Sequence, residues 1–434
     1  VHFFHYRDGK LHCEDVDLTR VAEEFGTPTY VYSAGTILDH YTRLGAALAS
    51  LNPLICYAVK ANSNRAILKL LVNAGAGFDI VSGGELFRVL AAGGNAAKCT
   101  FAGVGKSREE IEYALDQRVC SFNIESEAEL ESIDRIAGVK NQCAPIALRV
   151  NPDVDTHTHR YITTGAHENK FGIALDRIMA VYERAAGMRN IEIAGVQMHI
   201  GSQITEGKSF ADAIEKVASL VRELKSKYGI KFFSIGGGMG IIYQRALESG
   251  SGKWWHDHGE PSAFSVRDYA DAIVPPLREL GIRILVEPGR FLVGNAGVLL
   301  ARVLYTKRSG SKKFAIVDAG MNDLIRPALY QSYHEIVPVK EKKRERKRNS
   351  SKINIVGPVC ESGDFFALDR EMPQVHQGDL LAIMSVGAYG FVMASNYNSR
   401  PRPAETLVRG DTFALIRKRE TWEDLVRDEV DADW

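Results

Sequence analysis

The chain has 434 residues, 45% of them hydrophobic, which is enough for a large core and suits two domains better than one. Its 54 lysines and arginines balance 54 aspartates and glutamates, so no overall field favours nucleic acid or an anionic membrane, and small-molecule chemistry becomes the expectation. The six cysteines, at 13, 56, 99, 120, 143 and 360, form no Cys-x-x-Cys pair, which argues against a zinc ribbon or disulfide framework and fits a reducing cytoplasm. No apolar run is long enough to span a bilayer and no leader pattern is present, so a soluble, unexported protein is expected.

In chain order, residues 1–35, with FFHYRDGKLHCEDVDL, read as strand-like. Between 36 and 290 eight short apolar runs follow: ICYAVK at 55, GFDIV at 77, CTFAG at 99, SFNIE at 121, IALRVN at 146, IAGVQMHIG at 193, FFSIGGG at 232 and ILVEPG at 284. They lack polar alternation and are separated by helical patterns such as SREEIEYALDQ at 107 and SFADAIEKVASLVRELKSKY at 209. That combination predicts parallel strands covered by helices, and eight repeats predict a closed (β/α)8, TIM-like barrel of the α/β class. From 291 to 434 the texture becomes GVLLARVLYT, KFAIVDAG, INIVGPV, DLLAIMSV and TFALIRK between turn residues, which predicts an all-β domain that residues 1–35 join. ESGSGKWWHDHGE around Trp254 and the basic run Lys340–Arg348 read as solvated surface insertions. His256 and His258 have no further ligands at a recognisable spacing, so no metal is expected.

Lys60, Asp79, Arg149, His199, Gly236 to Gly238 and Glu287 all fall at the C-terminal ends of the predicted barrel strands, the face where such barrels build active sites. A lone lysine there can simply snorkel, a GGG can be a tight turn, and a strand-end histidine can be structural. Together they match the needs of pyridoxal 5'-phosphate: an amine for its aldehyde in Lys60, phosphate donors in Gly236, Gly237, Gly238 and Ser202, a ring neighbour in His199, and a carboxylate for the pyridine nitrogen in Glu287. A carboxylate at that nitrogen keeps it protonated, which favours decarboxylation over racemisation.

YAVKAN at 57, HIGSQ at 199, GGG at 236, EPGR at 287 and CESGD at 360, in this order over nearly the whole chain, resemble the fold-type III pyridoxal phosphate-dependent amino-acid decarboxylases. Within them the chain is most similar to the branch that converts meso-2,6-diaminopimelate to L-lysine and carbon dioxide, the last step of lysine biosynthesis. The resemblance implies an alanine racemase-like architecture and an obligate homodimer, each site completed by the partner chain. It implies Lys60 and Cys360 as catalytic residues, with Asp79, His199, Ser202, Gly236, Gly237, Gly238, Glu287, Arg290 and Tyr389 around the cofactor. Arg290, Arg326, Tyr330, Glu361 and Tyr389 would bind substrate, Arg326 and Tyr330 taking the distal carboxylate and Glu361 the distal ammonium. THTHRYITTGAHENKFG, from Thr156 to Gly172, resembles the family's active-site loop. A decarboxylase of ornithine, arginine or carboxynorspermidine would share all but the distal set, and a non-catalytic cofactor carrier would be expected to lack Lys60 or Cys360.

Overall fold

The computed structural model describes residues 1–154, 170–258, 264–341, 350–432 and 434. All but the last three residues of the 156–172 loop, all but Lys340 and Glu341 of the basic run, and the side chain of His258 lie outside the described residues. The chain forms two compact units: Leu38–Ile241 with His258–Leu292, and Val1–Ile37 with Ile242–Asp257 and Val293–Trp434.

The first unit is a closed parallel barrel. Its strands are Leu54–Ala58, Gly77–Ile80, Cys99–Phe101, Ser121–Ile124, Ala144–Asn151, Ile191–Met198, Phe232–Ser234 and Arg283–Val286. Each pairs in parallel with the next, and the eighth returns to the first through Leu285 opposite Leu54. The first four are buried along their whole length, as apolar residues on both faces require. Serine N-caps start the outer helices: Ser82 before Gly83–Ala91, Ser126 before Glu127–Val139, and the reciprocal Ser107/Glu110 box before Arg108–Gln117. No helix among the described residues is long and apolar enough to cross a membrane.

The second unit is built on a nine-stranded sheet. Thr29–Ser33, buried throughout, lies inside it, antiparallel to Gly297–Ser309 on one side and parallel to Ala404–Arg409 on the other. A separate three-stranded sheet joins Phe4–Arg7, Lys10–Cys13 and Val16–Asp17. The strand-like reading of residues 1–35 fails over Leu18–Phe25, which is an α-helix capped by Asp17. Its apolar residues at 18, 21, 22 and 25 follow the helical period, and Leu18, Val21 and Ala22 enter the core beside Phe4, Val31 and Val298.

The sequence reading drew the barrel domain without interruption from 36 to 290, but the structure places 242–257 with the β-rich unit. Two ties anchor this stretch: the His2 ring to the Ala246 carbonyl at 2.6 Å, and the Leu247 amide to Glu335 at 2.8 Å. Ala246 is part of that unit's core. Trp254 and Trp255 are half-buried on the helix Gly252–His258, with the Trp255 indole donating to the Ser249 carbonyl at 2.7 Å.

Candidate active site

Lys60 sits on the single 3₁₀ turn Val59–Ala61 that ends the first barrel strand. Its Nζ donates to Asp79 Oδ2 at 2.7 Å, and Asp79, on the second strand, is 1% exposed. Lys60 keeps 38% of its side chain accessible. Lys106 makes the contrast: its side chain is 0% exposed, with Nζ donating to the Gly103 and Asn123 carbonyls and to Glu129. Lys106 is thus a tie between loops, whereas the Lys60 amine can be reached by a reagent. The other oxygen of Asp79, Oδ1, is buried without a hydrogen-bond partner among the described residues.

Glu287 directly follows the eighth strand and is buried. Ser234 Oγ donates to one carboxylate oxygen at 2.6 Å and Gln197 Nε2 to the other at 3.0 Å. Burial, and then the Asp79 charge, push its pKa up to about 7 from 4.5. The folded protein therefore keeps a proton that the unfolded chain releases between those values. Stability from this group is present below pH 4.5 and is lost as pH rises through 7. Glu287→Gln should consequently stabilise the cofactor-free protein by an amount that grows from pH 5 to pH 8, to about 3 kcal/mol. Thermal midpoints of both proteins across that range measure it, and a difference independent of pH would count against a buried, titrating Glu287.

His199 follows the sixth strand, and burial, the Arg149 charge and the Lys60 charge, in that order, hold its pKa well below the usual 6.5. The Gly237 amide donates to His199 Nδ1 at 3.2 Å, so the neutral ring carries its proton on Nε2. The amide of the middle glycine thus orients the imidazole. Gly237 must be glycine, since a Cβ there would lie 2.2 Å from the Glu287 carbonyl oxygen. Arg149 is paired with Glu125 at 2.9 Å, both buried, and Glu125 also accepts from the Gly172 amide at 2.9 Å. On the same rim Arg290 Nη2 donates to Ser202 Oγ at 3.0 Å, which brings two predicted anion contacts together.

The remaining predicted residues belong to the β-rich unit. Arg326 is 5% exposed and lies over the rings of Tyr243 and Tyr330, 5.6 and 5.7 Å from their centroids. CESGD forms a tight turn: Asp364 accepts from the Met321 amide at 2.6 Å and the Val359 amide at 2.7 Å. Cys360 and Glu361 are left exposed, unlike the buried Cys13, Cys56 and Cys99. The Cys360 amide is held by Asn398 Oδ1 at 2.8 Å. Tyr389 takes the left-handed φ of 55°, as does Ser385 at 60°, and such backbones, costing about 1–3 kcal/mol each, cluster at functional sites.

Sequence reasoning missed Gln197, Ser234, Glu125, Tyr243 and His334. For Gln197 a signal existed: it is the one amide in the apolar run IAGVQMHIG. The others come into place only through tertiary structure.

Residues 34–294 match the family described as "Pyridoxal-dependent decarboxylase, pyridoxal binding domain". The chain belongs to this family. Among curated members, it is 50% identical over 423 residues to a diaminopimelate decarboxylase of Pseudomonas aeruginosa, covering 97% of each chain. It is 46% identical to one of Aquifex aeolicus, covering 99% of this chain and 98% of that one. A solved structure, the diaminopimelate decarboxylase of Helicobacter pylori complexed with L-lysine, superimposes with a TM-score of 0.87 at 39% identity, covering 95% of this chain and 98% of that one.

The cofactor of this decarboxylase family is pyridoxal phosphate, and the residues fit it. Lys60 would offer an accessible amine for the aldehyde, Glu287 a carboxylate for the pyridine nitrogen, and Ser202 with Arg290 an anion site. The buried Asp79 Oδ1 adds negative charge beside the amine.

Proposed function

We infer that the protein is a diaminopimelate decarboxylase that converts meso-2,6-diaminopimelate to L-lysine and carbon dioxide. The single observation that carries the substrate assignment is Arg326, a buried guanidinium framed by Tyr243 and Tyr330, because a site of this kind is made for a carboxylate. Ornithine and lysine have no distal carboxylate to offer it.

When bound, pyridoxal phosphate supplies the electron sink for the pair left behind as carbon dioxide departs. Lys60 provides the amine that holds the cofactor, and Asp79 holds that amine in place. Glu287 keeps the pyridine nitrogen protonated, His199 packs as a neutral ring, and Ser202, Arg290 and Gly236 to Gly238 bind the phosphate's anionic oxygens. Tyr389 reaches cofactor and substrate, while Tyr330 assists Arg326 at the distal carboxylate.

The acting assembly is a homodimer in the cytoplasm. Cys360 of the partner subunit gives its thiol proton to the α-carbon and regains one from solvent, and Glu361 of the partner subunit takes the distal ammonium. The exposure of both residues on one rigid turn supports a role toward a second chain. The domain boundary near residue 290 and a separate β domain joined by residues 1–35 remain part of this reading.

The test is carbon dioxide release by the cofactor-loaded protein from meso-diaminopimelate, ornithine, arginine and lysine side by side. Release from diaminopimelate alone, with lysine formed in equal amount, is expected. Turnover of ornithine or arginine at a comparable rate would remove the substrate assignment.

A further inference from the structure

Arg326 is held from behind by a residue with no assigned role. Its Nε donates to His334 Nε2 at 3.4 Å, and its Nη2 lies 3.3 Å from both Tyr243 Oη and Ser332 Oγ. His334 is 0% exposed. Its Nδ1 is 2.9 Å from the Met384 carbonyl oxygen, and its ring meets that of Tyr243 edge-on at 5.2 Å.

These contacts determine the state of the imidazole. A carbonyl oxygen only accepts, so Nδ1 must carry a proton; an arginine Nε only donates, so Nε2 must present its lone pair. The neutral Nδ1–H tautomer alone satisfies both. Its anchor is firm, because Met384 follows the strand Leu380–Ile383 and its amide donates to the Glu335 carbonyl at 2.8 Å. The sheet therefore orients the imidazole, and the imidazole sets the plane of the guanidinium.

We propose that His334 is a positioning residue for substrate selection: it holds Arg326 in the orientation that receives the distal carboxylate of a dicarboxylic diamino acid. The inference rests on the reading of Arg326 given above. The segment RPALYQSYHEI supplies both residues, eight positions apart: Arg326 opens the short helix Arg326–Tyr330, and His334 follows the turn at Gln331. A hydrophobic residue would fill the same space without aiming the arginine.

The experiment compares His334→Phe and His334→Gln with the parent enzyme and with Arg326→Ala, on meso-diaminopimelate. His334→Phe keeps the ring and removes both hydrogen bonds, so KM should rise about 10- to 100-fold while kcat changes less than threefold. His334→Gln can still accept from Nε and donate to the carbonyl, and should recover most of the loss. In an Arg326→Lys background, which lacks Nε, His334→Phe should add nothing further. Thermal midpoints and the absorbance of bound cofactor report on folding, and His334→Leu replaces the phenylalanine variant if that fails to fold. An unchanged KM in His334→Phe, or equal losses in the phenylalanine and glutamine variants, would reduce His334 to packing. If Arg326→Ala also left KM unchanged, the distal-carboxylate reading itself would fall.

Discussion

Lys60→Arg is expected to abolish decarboxylation, lowering kcat by about 10⁴-fold, while the protein remains folded. The pair with Asp79 makes arginine the informative replacement. Removing the cation altogether would leave a 1% exposed carboxylate without its partner at 2.7 Å, so Lys60→Ala confounds chemistry with destabilisation. Arginine preserves the charge that Asp79 needs and removes the primary amine. Borohydride treatment of the parent loaded with pyridoxal phosphate should place a pyridoxyl mass on the peptide bearing Lys60, and the variant should show none. Turnover retained in Lys60→Arg, or labelling at Lys106, would overturn the assignment; Lys106 has no accessible side-chain surface with which to compete.

The second large effect is one of discrimination. Arg326→Ala should cut kcat/KM for meso-diaminopimelate by about 10⁴-fold. Its effect on any residual turnover of ornithine should be far smaller. A substrate without a distal carboxylate would bring no anion of its own to this buried guanidinium, and that difference would be the physical basis of the selectivity. The variant removes both the reward for the right substrate and the penalty for the wrong one. Equal losses on both substrates would point instead to a collapse of the surrounding structure. Thermal unfolding checks this directly, since Arg326 also contacts Tyr243, Ser332 and His334.

The barrel was legible because its strands are short, mostly apolar runs without regular polar alternation, and such runs separated by amphipathic helices have few other solutions. The placement of Lys60, Asp79, His199 and Glu287 at or near the C-terminal ends of barrel strands was legible for a related reason: each stands where an apolar run gives out. Leu18–Phe25 was misread because its polar residues fall between apolar ones in a stretch already taken for strand, although the 3.6-residue period is present. Phe365–Pro373 and Ala404–Arg409 carry too few consecutive apolar residues to stand out as strands, and the sheet recruits them through pairing. Tyr243 is 83 positions from Arg326, and no local pattern links the two. Ser234 resembles any strand serine until Glu287 is seen 2.6 Å away.

The place of Thr29–Ser33 between Gly297–Ser309 and Ala404–Arg409 has a consequence for biogenesis. The strand leaves the ribosome well ahead of its second neighbour, which follows some 370 positions later, a delay of roughly 20–70 s at ordinary elongation rates. The barrel strands are complete by Val286, well before then. Nascent chains therefore carry a finished barrel tethered to a TYVYS segment whose edge toward Ala404–Arg409 stays open, a template for intermolecular pairing. Chaperone occupancy during synthesis should concentrate on this segment, and slowed translation of the final third should raise aggregation more than any slowing before residue 290.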